Sequence, residues 1–269
     1  MDGYYSPSLP KSTFAMIRYM SSFQAIVLSI IEGITEFLPV SSTGHLILAS
    51  KLLHIQPTEF TKSFEIFIQL GAIMAVATLY GRVLLINRKL WLPLISAFIP
   101  TAIVGFTFYP LIKTYLLEST TITTISLFVG GFVLIFFERI GFKKDKTLTW
   151  QNAIIIGLCQ SVSIIPGVSR AAATIVGGLA IGLPRKEAVE FSFLLALPTM
   201  AAASGLDLIK SAGNFTQSEL WILVVGFIGA WVVAHVTIKA FLRFIKTNTF
   251  TSFGVYRILL ALIFWLLYR

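Results

Sequence analysis

The chain has 269 residues, of which 56% are hydrophobic and only 12% charged, and its mean hydropathy is +0.85. A soluble globular domain carries about 25% charged residues, so the composition excludes one and points to an integral membrane protein. The net charge of +9 does not imply nucleic-acid binding, because the Lys and Arg residues fall in short loops between apolar segments, as the cytoplasmic bias of basic residues predicts.

Residues 1–22 are expected to form a flexible tail, polar and turn-rich through Pro10, with no apolar region ending in a small-residue cleavage site. Residues 23–269 read as a single membrane domain. Its first stretch, 23–53, holds Glu32-Gly-Ile-Thr-Glu36-Phe-Leu-Pro39-Val-Ser41-Ser42-Thr43-Gly-His45, a set of ionisable and hydroxyl groups that lipid does not tolerate unless they face a polar cavity. Glu32 and Glu36 stand one helical turn apart. Pro39 is expected to end their helix, and Ser41, Ser42 and Thr43 to cap a new one with His45 in its first turn.

A spanning helix needs about 20 largely apolar residues, and segments near 64–80, 90–111 and 122–137 are placed as spans. The stretch 150–183 then repeats the plan of the first, because Gln160-Ser-Val-Ser-Ile-Ile-Pro166-Gly167-Val-Ser169-Arg170-Ala-Ala-Ala-Thr174 also runs helix, proline break, hydroxyl, new helix. The two align on Pro39 with Pro166 and on Ser42 with Ser169, with a one-residue slip. Both read as re-entrant helix pairs, tolerable where the broken backbone lies inside protein or lines a wet cavity. Spans near 188–209, 220–238 and 250–267 follow. Cys159, the single cysteine, has no partner for an internal disulfide and reads as a small buried hydrophobe.

Basic residues mark cytoplasmic loops at Arg82, Arg88 and Lys89, at Arg139, Lys143, Lys144 and Lys146, at Arg185 and Lys186, and at Lys239, Arg243 and Lys246. Loops around Lys113 with Glu118, and around Asp207, Lys210 and Glu219, have little or no positive excess. The alternation requires 150–183 to enter and leave on the cytoplasmic side and 23–53 on the outside, with both termini outside. The fold class expected is therefore an all-α membrane protein with about six transmembrane helices and two re-entrant pairs, arranged as an inverted repeat of 23–138 and 150–269. Such folds build their site where the broken helices meet, which brings Arg170 to Glu32, Glu36, Ser42 and His45.

Arg170 with Ser41, Ser169, Thr174 and the helix N-termini would cradle an anion, and a guanidinium suits phosphate because it donates two parallel hydrogen bonds. Glu32 and Glu36 would repel that phosphate unless protonated or sharing a divalent cation, Mg²⁺ or Ca²⁺, with it. His45 is the candidate acid or base. Ser42 is the candidate nucleophile if a base touches its hydroxyl, with direct attack by water as the alternative. Bland readings stand beside these: Arg170 as a structural counter-ion to Glu36, Ser41 and Thr43 as caps, His54 as an interfacial residue, and His235 as a helix-to-helix hydrogen bonder, while Glu65 and Gln69, on one face at the start of a span, read equally well as bordering the site or as helix-end polar groups.

These residues resemble the bacterial undecaprenyl-diphosphate phosphatase, or bacitracin-resistance, family. The stretch from Glu32 to His45 is similar to the family's glutamate-rich motif, and Pro166-Gly-Val-Ser-Arg170 with Thr174 to its arginine motif. Phe64-Glu-Ile-Phe-Ile-Gln69-Leu-Gly, Phe191-Ser-Phe-Leu-Leu-Ala-Leu-Pro198 and Tyr256-Arg-Ile extend the likeness along nearly the whole chain. The resemblance implies an enzyme of the bacterial inner membrane that removes the terminal phosphate of undecaprenyl diphosphate, recycles the lipid carrier for cell-wall synthesis and confers bacitracin resistance. It implies Glu32, Glu36, Ser42, His45 and Arg170 as catalytic or substrate-binding residues, Ser169 and Thr174 as phosphate contacts, an inverted-repeat fold, a divalent cation and a site opening to the outer face. Where the family usually has Ser-Gly after the arginine, this chain has Ala171 and Ala172. The partners expected are a polyprenyl diphosphate lipid and membrane lipids, with a homodimer left open and no nucleic acid. A carrier or flippase for a polyprenyl phosphate lipid, or a non-catalytic lipid-binding scaffold, is the rival reading; the clustered Glu, Ser, His and Arg favour chemistry.

Overall fold

The computed structural model describes residues 20–111, 119–140, 146–211 and 215–267, and every regular element among them is helical. Most of the expected tail lies outside these residues, as do Lys113, Glu118, Lys143 and Lys144. The helices are α1 (Ser22–Thr35), α2 (Ser42–Leu52), α3 (Glu59–Ile86), α4 (Trp91–Leu111), α5 (Thr120–Ile140), α6 (Trp150–Ser161), α7 (Arg170–Ala180), α8 (Arg185–Ser211), α9 (Gln217–Phe244) and α10 (Thr251–Leu267). Two short helices followed by three longer ones thus occur twice.

The short pairs are specified by local chemistry. Ser21 and Gln24 form a capping box at the start of α1, and Thr149 and Asn152 do so for α6, satisfying N–H groups that have no intrahelical acceptor. At about 1.5 Å per residue, the 14 residues of α1 and the 11 of α2 each fall short of the roughly 30 Å apolar core of a bilayer. Each pair doubles back instead. Gln24 Nε2, at the start of α1, donates to the carbonyl of Leu53, just past α2, at 3.0 Å; Lys146 N–H, ahead of α6, donates to the carbonyl of Gly182, past α7, at 3.3 Å.

Among the described residues, five helices are long and apolar enough to cross a membrane: α3, α4 with the turn before it, α5, α8 and α9. The sixth expected span, near 250–267, is α10, whose 17 residues make about 26 Å of helix. The long helices leave large apolar side chains such as Leu85, Phe106, Phe132, Phe136 and Val236 exposed, far more than a soluble monomer shows, as suits lipid contact. Trp91 and Trp221, at the starts of α4 and α9, are also exposed, as interfacial anchors are.

Packing crosses between the halves: α1 lies on α9, α6 on α4, α5 on α10, and α3 on both α8 and α9. Gln160, fully buried on α6, shows how such a contact is fixed. Its Nε2 donates to Thr101 Oγ1 of α4 at 2.8 Å and to Thr199 Oγ1 of α8 at 3.2 Å. At the end of the molecule bearing the basic loops, Glu138 pairs with Arg185 and accepts the N–H of Phe250 at 3.2 Å, tying α5 to the starts of α8 and α10.

Candidate active site

The proline breaks bring the motif residues together, with one change from the expected helix end. α1 stops at Thr35, not at Pro39, because a proline ring clashes with the carbonyl four residues earlier, which here is that of Thr35. Glu36 therefore sits at the C-cap, its N–H still bonded to the Glu32 carbonyl at 2.9 Å, and its side chain is free to turn toward the second break.

The two breaks end alike, though not in the register read from sequence. Ser41 and Ser169 are the N-caps of α2 and α7, and both hold a left-handed backbone, φ 71° and 75°. The matching residues are thus Ser41 and Ser169, not Ser42 and Ser169; Gly167 is the extra residue that hides this in the sequence. The interval from Ser21 to Ser41 equals that from Thr149 to Ser169, and at this spacing Glu32 matches Gln160. A non-glycine residue at positive φ costs on the order of 1–3 kcal/mol and tends to occur at functional sites. Ser169 Oγ caps α7 by accepting Ala172 N–H at 3.2 Å. Ser41 makes no side-chain cap bond, so its hydroxyl is not the cap expected of it.

Gly167 is at φ 89°, and a Cβ there would stand 2.4 Å from the carbonyl oxygen of Thr123. Gly167→Ala is expected to lower the melting temperature in detergent, with about 1–3 kcal/mol lost to backbone strain alone and more to the clash. An unchanged melting temperature would contradict this account of the break.

At the centre, Arg170 gives Nε and Nη2 to one oxygen of Glu36, Oε1, at 3.3 and 3.2 Å, and Nη1 to the carbonyl of Ser192 at 2.9 Å. Its guanidinium also lies 5.9 Å from the centre of the Phe37 ring, within cation–π range. Because both contacts fall on Oε1, Oε2 of Glu36 remains to accept the hydroxyl of Ser42 at 2.6 Å. A serine hydroxyl this close to a carboxylate makes a charge-assisted hydrogen bond, the contact that a serine nucleophile would need with a base. Glu36 and Arg170, with Ser41, Ser42, Thr43 and Ser169, line a cavity of about 150 Å³, closed on other sides by Gln69 and Ser163.

The other sequence candidates lie beside this cavity. His45 Nδ1 is 2.8 Å from the Ser41 carbonyl and Nε2 is 2.6 Å from the hydroxyl of Tyr256. A carbonyl only accepts, so Nδ1 carries the proton, and in the neutral ring Nε2 accepts from Tyr256. Both nitrogens are thus engaged with groups other than Ser42, and the carboxylate that touches Ser42 is that of Glu36. Thr174 turns its hydroxyl to Ser192 Oγ at 2.6 Å and to the Arg170 carbonyl at 2.9 Å. It is among the buried residues and does not line the cavity, and neither do Ala171 and Ala172. Glu32 is fully buried one turn behind Glu36, and among the described residues no donor reaches its carboxyl oxygens other than the neighbouring Glu36 carboxyl.

Sequence reasoning left Gln69 evenly balanced and did not single out Ser163 or Ser192. Gln69 shares a face with Glu65 on α3, and only the packing of α3 against the breaks turns it to the cavity. Ser192 contributes a backbone carbonyl, which no side-chain pattern reveals. Arg257 entered only within the Tyr256-Arg-Ile likeness, yet its side chain is among the largest fully buried ones.

Fold and site together define a multi-pass membrane protein with a polar cavity, lined by Glu36, Arg170 and serine hydroxyls, built between two broken helices. Residues 25–263 match the model of the family described as bacitracin resistance protein BacA, and the chain belongs to that family. Among curated relatives, it is 49% identical to the undecaprenyl-diphosphatase of Aquifex aeolicus over 91% of this chain and 98% of that protein. It is 47% identical to the one of Wolinella succinogenes, over 91% and 97%, and 49% identical to that of Persephonella marina, over 92% and 99%.

Proposed function

We propose that the protein is a membrane phosphatase that hydrolyses undecaprenyl diphosphate to undecaprenyl phosphate and inorganic phosphate, returning the lipid carrier to cell-wall synthesis and so conferring bacitracin resistance. The observation that carries this reading is the Ser42 hydroxyl bonded to Glu36 at 2.6 Å, with Arg170 on the other carboxylate oxygen in the same cavity. The relatives named undecaprenyl-diphosphatase supply the substrate.

Arg170 and the first-turn N–H groups of α2 at Ser42 and Thr43, residues that line the cavity, receive the diphosphate. Ser42 Oγ attacks the terminal phosphorus as its proton passes to Glu36 Oε2, and the bond to the bridging oxygen breaks, releasing undecaprenyl phosphate. Water then cleaves the phosphoserine. Most of the acceleration comes from positioning and from charge placed on the transferred group. His45 holds the Ser41 carbonyl and so sets the backbone that presents Ser42, and Thr174 with Ser192 fixes α7 under Arg170.

The donor set fits a divalent cation, Mg²⁺ or Ca²⁺. Glu32 offers two buried carboxyl oxygens that, among the described residues, no donor reaches other than the Glu36 carboxyl one turn away. No third acidic, cysteine or histidine side chain joins them among the described residues, so substrate oxygens and water would complete the shell, as is usual for Mg²⁺. Bound there, the ion would neutralise phosphate charge. Chelator is expected to suppress phosphate release and added Mg²⁺ or Ca²⁺ to restore it, while Glu32→Gln shifts the half-saturating metal concentration upward by about tenfold or more, the scale seen when a metal's supporting groups are lost. Full activity in chelator would remove the ion from this site.

The site serves the bacterial cytoplasmic membrane from its outer face, and the halves 23–138 and 150–269 are inverted copies within one membrane domain. Support comes from the two doubled-back pairs, their equal cap spacing and the exchange in which α1 lies on α9 and α6 on α4. The deciding experiment is release of inorganic phosphate from undecaprenyl diphosphate by purified protein in detergent. Movement of labelled lipid across vesicles with no phosphate released by folded protein would favour a carrier.

A further inference from the structure

Arg257 lies on α10, outside both breaks, and is fully buried. Its five hydrogen bonds among the described residues all go to backbone carbonyls: Nη1 to Pro39 at 3.2 Å and Val168 at 2.9 Å, Nη2 to Gly167 at 2.8 Å and Ser126 at 3.1 Å, and Nε to Leu127 at 3.4 Å. None of these acceptors is a carboxylate. Burying a cation is costly, and carbonyl dipoles offset less of that cost than an anion would. What the arrangement secures is a geometry: one planar group holds the first break just before Ser41, the second break just before Ser169, and α5 behind both.

We propose that Arg257 is a positioning residue for catalysis, the clamp that sets the first break, with Glu36 and Ser42, at its working distance from the second break, with Arg170. This rests on the phosphatase reading. The two breaks meet across the cavity through the Glu36 to Arg170 contact, which has to admit a phosphoryl group between its partners in each turnover. A clamp elsewhere keeps the breaks in register while that contact loosens. The neighbouring Tyr256 reinforces it on the same helix, bonding His45, whose other nitrogen holds the Ser41 carbonyl.

The guanidinium needs a gap in α5. Gly130 supplies it, since a Cβ there would stand 2.1 Å from Arg257 Nη2 and 2.8 Å from Cζ, and its three nearest heavy atoms all belong to Arg257. Two substitutions therefore disturb the clamp by different routes. Arg257→Lys keeps the charge and loses the fork that spans both breaks, whereas Gly130→Ala keeps the arginine and displaces it.

Both variants and the wild type would be purified in detergent and compared for kcat, KM, helical content and melting temperature. In folded variants kcat is expected to fall about 100-fold, the size associated with misplacing reacting groups by about an ångström, while KM changes little because every phosphate-binding side chain remains. A residue that served stability alone would lower the melting temperature and leave kcat intact, and that result in either folded variant overturns the proposal. If neither variant folds, Arg257 is a folding residue and the positioning role falls. Wild-type protein that releases no phosphate would overturn the phosphatase reading and the clamp's catalytic purpose with it; active wild type with equally active variants overturns the clamp alone.

Discussion

Arg170→Ala is expected to lower kcat/KM for undecaprenyl diphosphate about 1,000-fold, the upper range for removing one donor from a charge-stabilising site. Two losses combine. Among the described residues the guanidinium is the one cationic side chain lining the cavity, and it is also the partner of Glu36, with the two side chains only 10% and 7% exposed. Breaking a buried pair by removing one member costs about 3–5 kcal/mol, so the melting temperature should fall along with activity while helical content stays. Arg170→Lys separates the effects. It keeps a charge but cannot hold Glu36 Oε1 and the Ser192 carbonyl at once, so it should regain stability more fully than turnover. Phosphate release by Arg170→Ala within tenfold of wild type would show that phosphate binds elsewhere.

Ser42→Ala and Glu36→Gln are each expected to cost about 10²–10⁴-fold in kcat, the range for losing a positioned proton acceptor. The double variant should be little worse than either single one, because groups that act as a unit are not additive. That pattern distinguishes a nucleophile and its base from two independent binding contacts, whose losses would multiply. Acid quenching during turnover of terminally labelled substrate should trap label on Ser42 in the wild type and none in Ser42→Ala. A wild-type enzyme that turns over with no trapped label, and a Ser42→Ala variant that keeps most of its rate, would assign the attack to water with Glu36 as its base.

The sequence determined the class of this protein and the two proline breaks that line its cavity. Apolar segments of spanning length can only be helices in lipid, since every backbone group must be satisfied within the segment, so an all-helical membrane fold followed from composition and period. Two prolines amid carboxylates, hydroxyls and an arginine marked both breaks, because such residues survive in an apolar sequence only where they face one another or a cavity. The ends of the helices, the register between the breaks and the partner of each polar group depended on contacts far apart in the chain. α1 stops four residues before Pro39 because of a backbone clash, and the repeat aligns on Ser41 through shared positive φ, a property of conformation and not of residue type. His45 is drawn to Tyr256 and the Ser41 carbonyl, leaving Glu36 to hold Ser42. Thr174 is drawn to Ser192, away from the cavity. Arg257 was the least legible: its acceptors are main-chain carbonyls, identical at every residue, so only the tertiary structure could decide that one guanidinium on α10 would hold both halves of the site.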